Sequence, residues 1–268
     1  MLPSDVPYRI DLTDAPVDAL ERLIDLGALD VESVGHGLAA LLPDDVSPAR
    51  VAAALGLDNV RATKALGRDE DSVWILRQRP LRIGRLQLLP ADAPAAPDGI
   101  RLVDSLAFGT GLHATTALCL EALDEEIEAA PPTGLLDVGT GSGVLALAAL
   151  HAGVQRAVAL DIDAHAVRTT RENARLNGLT SRLQVVLGDL DAVSTTWPLV
   201  VANILSAPLI DMAPTLGRRV GHRGRVILSG IRSSLTPEVE QAYRRVGMHH
   251  VYTRTRDGWD AITLQASW

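Results

Sequence analysis

The chain has 268 residues, of which 47% are hydrophobic and 22% charged, with a formal net charge of -8. That apolar content excludes disorder as the main state, and no apolar run approaches the roughly 18 residues needed to span a bilayer. The acidic balance argues against non-specific nucleic-acid binding, which rests on neutralising phosphates, and suits a small-molecule site or a basic protein partner. Met1 to Asp5 has neither the basic segment nor the apolar stretch of a secretory signal, and Cys119 is the single cysteine, so a cytoplasmic chain without disulfides is expected. Aromatic residues are 3%, so the core is aliphatic and base-stacking platforms are scarce.

Tyr8 to Leu12 alternates like a strand, and Val17, Leu20, Leu23 and Ile24 fall at helical spacing before Gly27 stops the pattern. Leu29 to Val34 and Leu38 to Leu42 read as two further strands. Ser47-Pro48 is an N-cap followed by proline at the first helical position, opening a helix over Ala49 to Leu55. Val60 to Leu66 closes the segment as a strand. The order β-α-β-β-α-β is the split-βαβ, ferredoxin-like arrangement, expected over residues 1–68 as a recognition module. Residues 69–99 read as connector. Trp74 to Leu89 carries Arg77, Arg79, Arg82 and Arg85 on an extended edge, read as solvated with RNA contact in a larger assembly as the alternative, and Ala91 to Gly99 is a Pro/Ala-rich linker marking a boundary.

From residue 100 to 268 strands and helices alternate. Strands are expected at Gly134 to Val138, Arg156 to Leu160, Leu183 to Leu187, Leu199 to Ala202 and Arg225 to Leu228. Helices are expected at Val144 to Ala152, Ala164 to Asn177, Ala207 to Leu216 and Pro237 to Val246, the last capped by Thr236. A closing hairpin, Val251 to Thr255 with Ala261 to Gln265, turns at Asp257-Gly258. This is a doubly wound α/β domain with an antiparallel hairpin at one edge.

Asp137-Val138-Gly139-Thr140-Gly141-Ser142-Gly143 sits between a strand and a helix, where such sheets bind nucleotides. Its third glycine comes one residue too early for a nicotinamide fingerprint. Asp137 beside the turn is a poor neighbour for a pyrophosphate and a good one for a cation such as S-adenosylmethionine, which carries an ammonium and a sulfonium. Asp161 ends the next strand, 22 positions after Gly139, where a carboxylate accepts both ribose hydroxyls. Gly188-Asp189-Leu190 follows the third strand and is placed to frame an adenine. Asn203 ends the fourth strand, so its amide oxygen can orient an incoming amine. Ahead of the domain, Leu106 to Thr116 reads as a ligand-covering loop. Thr115 or Thr116 is expected to cap the following helix and offer a hydroxyl to the cofactor, and His113 reads as an orienting or structural residue, with a proton acceptor as the alternative. His249-His250 lacks companions at metal-ligand spacing, and no metal is expected.

These motifs together resemble the PrmA family, bacterial methyltransferases of large-subunit ribosomal protein eleven. The resemblance rests on Ala107 to Thr116, Asp137 to Gly143, Ala159 to Asp163, Ala202 to Leu209 and Leu228 to Ile231. It implies a seven-stranded class I (Rossmann-like) methyltransferase domain behind a small recognition domain. It also implies an S-adenosylmethionine cofactor held by Thr116, Gly139, Gly141, Asp161 and Asn203, with Asn203 catalytic. The implied reaction is methylation of lysine side-chain and N-terminal amines of that ribosomal protein, with the first domain presenting different amines. A cytoplasmic monomer without direct nucleic-acid contact is expected. Two other readings share the motifs. One is a lysine methyltransferase for another protein, such as an electron-transfer flavoprotein subunit. The other is a non-catalytic, ribosome-associated cofactor-binding module.

Overall fold

The computed structural model describes residues 8–13, 15–28, 30–34, 37–43, 45–64, 80–103, 108–109 and 113–268. The described residues up to 64 form one compact unit, and residues 80–103 with 109 and 113–268 form another.

In the first unit β1 (Tyr8–Leu12), α1 (Ala19–Asp25), β2 (Asp30–Val34), β3 (Gly37–Leu42), α2 (Pro48–Leu55) and β4 (Ala62–Lys64) follow in the expected order. They build an antiparallel sheet of order β2-β3-β1-β4. Alternation along β1 sends Tyr8, Ile10 and Leu12 into a core with Ala19, Leu23, Val51 and Leu55. Ser47 caps α2 by accepting from the Arg50 amide at 3.3 Å, and Gly56 ends it in the left-handed region at φ +71°. Two elements are shorter than their patterns. Val17 lies in the turn ahead of α1 and is fully exposed. The last strand covers only Ala62–Lys64, Ala65 and Leu66 lying outside the described residues.

The larger unit opens with β5 (Leu81–Ile83) and β6 (Leu86–Pro90), a hairpin turning at Gly84-Arg85, joined by β7 (Gly99–Leu102) running parallel to β6. The Pro/Ala-rich stretch expected as a linker is therefore the crossing from β6 to β7 within this unit. Its composition reflects a tight surface crossing, while Leu88 and Ile100 on either side of it are fully buried in the unit's core. Of the connector arginines, Arg82 pairs with Asp98, and Arg85 with Asp124 and Glu128. Trp74, Arg77 and Arg79 lie outside the described residues.

Then follow α3 (Ala114–Ala129), β8 (Gly134–Val138), α4 (Val144–His151), β9 (Arg156–Asp161), α5 (Ala164–Leu176), β10 (Leu183–Leu187), β11 (Trp197–Asn203), α6 (Ser206–Gly217), β12 (Val220–Arg232), α7 (Thr236–Arg245), β13 (Met248–Arg256) and β14 (Trp259–Ala266). The sheet order is β10-β9-β8-β11-β12-β14-β13, parallel from β10 to β12 and antiparallel at β14 and β13. Helices cover both faces, so β8 is buried along its whole length and its apolar run shows no alternation. One aliphatic cluster fills the face under α3 and α4, and a second fills the face under α6 and α7. Asp257 (φ +52°) and Gly258 (φ +77°) make the expected tight turn between β13 and β14. Thr236 does not cap α7. It is the helix's first residue, and its hydroxyl donates to Asp260 Oδ2 at 2.6 Å. Asp260 also accepts from Ser233 and Thr255, and this buried acceptor outcompetes the exposed amides of the helix end. Among the described residues no helix is long and apolar enough to cross a membrane.

Candidate active site

The chain leaves β8 for β9 on one side and returns to β11 on the other, so the strand order reverses around β8. In open α/β sheets the crevice at such a reversal, beyond the carboxyl ends of the strands, is the ligand site. Gly139, Asp161, Gly188 and Asn203 all stand at those strand ends.

The loop after β8 is built on three left-handed glycines, Gly139 (φ +72°), Gly141 (φ +57°) and Gly143 (φ +84°). Its amides turn back on the sheet, with Gly139 N and Thr140 N both donating to Leu160 O at 2.9 Å. A Cβ on Gly143 would lie 2.7 Å from Thr170 Cγ2, so the turn against α5 admits no side chain. Asp161 is half-buried. Its Oδ2 accepts from Gly141 N and its Oδ1 from Asp163 N, each at 2.9 Å, which fixes the carboxylate and leaves lone pairs on both oxygens for a vicinal diol. After β10, Asp189 accepts from the Asp191 amide at 2.9 Å and shapes the turn there.

Asn203 is buried at the end of β11. Its Nδ2 donates to Thr116 Oγ1 at 3.3 Å, and its Oδ1 is buried without a partner. Buried amide oxygens are rarely left so, and an acceptor at this position can take a ligand N–H. Thr116 belongs to the first turn of α3, but neither it nor Thr115 provides the cap. His113 does, its Nδ1 accepting from Thr115 N at 3.3 Å and lying 2.8 Å from Thr115 Oγ1. The His113 ring stands edge-on to Trp259 at 5.2 Å, and the Arg232 guanidinium lies over the same indole at 4.9 Å. Burial, reinforced by the Arg232 charge, pushes His113 down to about 4, so it is neutral at physiological pH.

Asp137 stands beneath the glycine loop. It does not line the crevice: it is fully buried, and its Oδ2 accepts from Thr140 Oγ1 at 2.6 Å and Ala146 N at 3.2 Å. It ties the glycine loop to the first turn of α4, acting on the site from below. His250 contacts Thr253 and Glu240 on β13 and α7, and the described residues contain no cluster of three metal-ligating side chains.

Sequence reasoning passed over the polar stripe of α5. Thr170 Oγ1 donates to Gly141 O at 2.9 Å, and Asn173 Nδ2 donates to Ser142 O at 2.8 Å. Asn173 Oδ1 accepts from Val103 N, and Asn177 brackets Arg101 through both its amide atoms. Positions 170, 173 and 177 share one helical face, and that spacing of small polar residues on an inward face was the available signal.

The residues present suit a cationic adenosine-containing cofactor. The ring of strand ends offers a fixed carboxylate, an orphaned amide oxygen and three exposed aliphatic side chains: Ile162 (80% exposed), Leu205 (60%) and Leu187 (55%). Large apolar groups left in water at adjacent strand ends are what a flat base or an apolar chain would cover.

The family model described as "Ribosomal protein L11 methyltransferase (PrmA)" matches residues 47–267. Relatives bearing that name include one from Pelobacter propionicus, 40% identical over 205 residues, 74% of this chain and 66% of its own length. Another, from Symbiobacterium thermophilum, is 39% identical over 236 residues, 81% of this chain and 76% of its own. A third, from Bordetella bronchiseptica, is 41% identical over 243 residues, 82% of this chain and 77% of its own. The solved structure of a ribosomal protein L11 methylase from Lactobacillus delbrueckii subsp. bulgaricus superposes with a TM-score of 0.64 at 32% identity, covering 70% of this chain and 99% of that one. With a family model over most of its length and relatives near 40% identity, the chain belongs to the ribosomal protein L11 methyltransferase family.

Proposed function

We propose that this chain transfers methyl groups from S-adenosylmethionine to lysine side-chain and N-terminal amines of ribosomal protein L11. Family membership supports the reaction and its cofactor, and the buried, unpartnered Asn203 Oδ1 carries the assignment of the acceptor site. The cofactor, when bound, supplies a methyl group on a positively charged sulfur. Asp161 holds the ribose diol, the Gly139 and Gly141 backbone admits the methionine end, Thr116 closes that end, and Asn203 receives the acceptor amine. Asn203 Oδ1 accepts one N–H of the amine and thereby turns its lone pair toward the methyl group. The β-α-β-β-α-β unit is the ferredoxin-like recognition domain in this reading, supported by its strand order, and the larger unit is the seven-stranded class I catalytic domain. In this reading the enzyme is a cytoplasmic monomer, and its acidic charge supports the absence of nucleic-acid contact.

A lysine amine has a pKa of about 10.4, so only about one in a thousand is neutral near pH 7.4, and exposing its lone pair costs about 4 kcal/mol. Asn203 carries no charge to favour the ammonium form, and His113 Nδ1 is committed to its cap. Deprotonation by solvent is therefore expected, and log(kcat/KM) rises with pH from 6.5 to 8.5 without a break. A plateau set by a group titrating near pH 7, abolished in His113→Asn, would show instead that the histidine takes the proton.

The direct test is intact mass spectrometry of purified ribosomal protein L11 after incubation with the enzyme and cofactor. Increments of whole methyl groups are expected. No increment, alongside calorimetric cofactor binding, would overturn the substrate and leave the cofactor site standing. In the same calorimetry, Asp161→Ala weakens cofactor binding by about 1.5–3 kcal/mol for each charge-assisted hydrogen bond lost, roughly a ten- to hundredfold rise in Kd. Equal affinity of the two proteins would remove Asp161 from the ribose.

A further inference from the structure

Ile204 follows Asn203 directly and is gripped from two sides. Its Cγ2 methyl occupies the space a Cβ on Gly139 would take, 2.5 Å from the ideal Cβ position. Its backbone is pressed on Gly230, where an ideal Cβ would fall 2.2 Å from Ile204 O, 2.6 Å from its carbonyl carbon and 3.1 Å from its nitrogen. Gly230 has φ +81° and lies where the pairing of β12 with β14 slips between Leu228 and Ile231. Ile204 N is also tied to Ser229 O at 3.1 Å. The residue thus has no freedom to slide toward β12, and its β-branch bears on the first glycine of the cofactor loop.

We infer that Ile204 is a positioning residue: its β-branched methyl, backed by Gly230, fixes the separation between the cofactor loop and the Asn203 amide that holds the acceptor. The inference rests on the proposed roles of those two groups. Transfer between bound partners depends steeply on their separation, an error of about 1 Å costing on the order of a hundredfold in rate. A contact between the donor loop and the acceptor residue sets that distance without touching either ligand. The feature that matters is the branch at Cβ, because Cγ2 is the atom in contact. Valine retains that methyl and leucine, at equal size, does not.

The test compares Ile204→Val, Ile204→Leu and Ile204→Ala with wild type for methyl transfer, cofactor Kd and thermal midpoint. Ile204→Val is expected within about threefold of wild-type kcat. Ile204→Leu and Ile204→Ala lose tenfold or more in kcat with cofactor Kd changed by less than about threefold. Wild-type turnover by the leucine variant would overturn the inference, as would losses that follow the thermal midpoint across all three proteins. A second readout needs no acceptor. Gly139→Ala, which drives a methyl into Ile204 Cγ2, weakens cofactor binding tenfold or more, and adding Ile204→Ala to it restores part of the affinity. Strictly additive effects would overturn the inference. Wild type that binds cofactor but leaves L11 unmethylated would refute the substrate reading, and this coupling would then decide the role of Ile204 by itself.

Discussion

Asn203→Ala lowers kcat by about two to three orders of magnitude, the range for losing one preorganised polar group at a reacting centre, and raises cofactor Kd far less. The asymmetry follows from where the two ends of the amide go. Nδ2 is engaged by Thr116, whereas Oδ1 is buried with no protein partner, so the group left without a role in the protein is an acceptor. A ligand amine with two or three N–H donors satisfies it and is oriented by doing so. Asn203→Asp separates orientation from charge. It keeps the size and an acceptor oxygen, but its negative charge stabilises the ammonium form, which has no lone pair to offer. Acceptor binding should hold or tighten while kcat falls, and raising the pH should recover more of the rate in Asn203→Asp than in Asn203→Ala. Steady-state kinetics on ribosomal protein L11 between pH 7 and 9 reads both. If Asn203→Ala turned over within threefold of wild type, the amide would be a structural end to β11.

The parts of the site legible in the sequence are those carried by local chemistry. Three glycines after an apolar strand demand a left-handed loop, and a carboxylate 22 positions later marks the next strand end, because both follow from the length of one βαβ unit. Asn203 is readable for the same reason, as a polar residue closing the apolar run Leu199 to Ala202. What escaped depends on residues distant in sequence. Gly230 matters because Ile204, 26 positions earlier, comes to rest on it, and Thr236 leaves the cap of α7 for Asp260, 24 positions later. The crossing over 91–99 reads as a linker because proline and alanine look alike in a tether and in a surface connection. Only the pairing of β6 with β7 distinguishes them. Asp137 is the sharpest case. Since β8 is buried on both faces, it has no polar and apolar sides from which the direction of a lone acid could be inferred.

That inward direction gives Asp137→Asn an effect on stability that depends steeply on pH. Burial lifts the Asp137 carboxyl from its ordinary 3.8 to about 7, with the nearby Asp161 charge pushing the same way and the hydrogen bonds from Thr140 and Ala146 opposing. Cys119, the other titratable group against it, is itself pushed up by burial and stays a neutral thiol. A carboxyl whose folded pKa is raised binds its proton more tightly in the native state. Its contribution to stability is therefore full below about pH 3.8 and is lost as the pH rises through about 7. The rise corresponds to a ceiling of about 4 kcal/mol once the group is fully ionised. Asparagine keeps an oxygen for Thr140 Oγ1 and Ala146 N and cannot ionise. The stability of Asp137→Asn relative to wild type should accordingly climb by a few kcal/mol between pH 4.5 and 8, measured by chemical denaturation. A pH-independent difference would mean the carboxyl does not titrate in this window. The ionised carboxylate lies under a loop assigned to a cationic cofactor, whose charge would offset its cost when bound. At pH 8, S-adenosylmethionine should then raise the thermal midpoint of wild type more than that of Asp137→Asn, and the margin should shrink with the uncharged-sulfur product S-adenosylhomocysteine in its place.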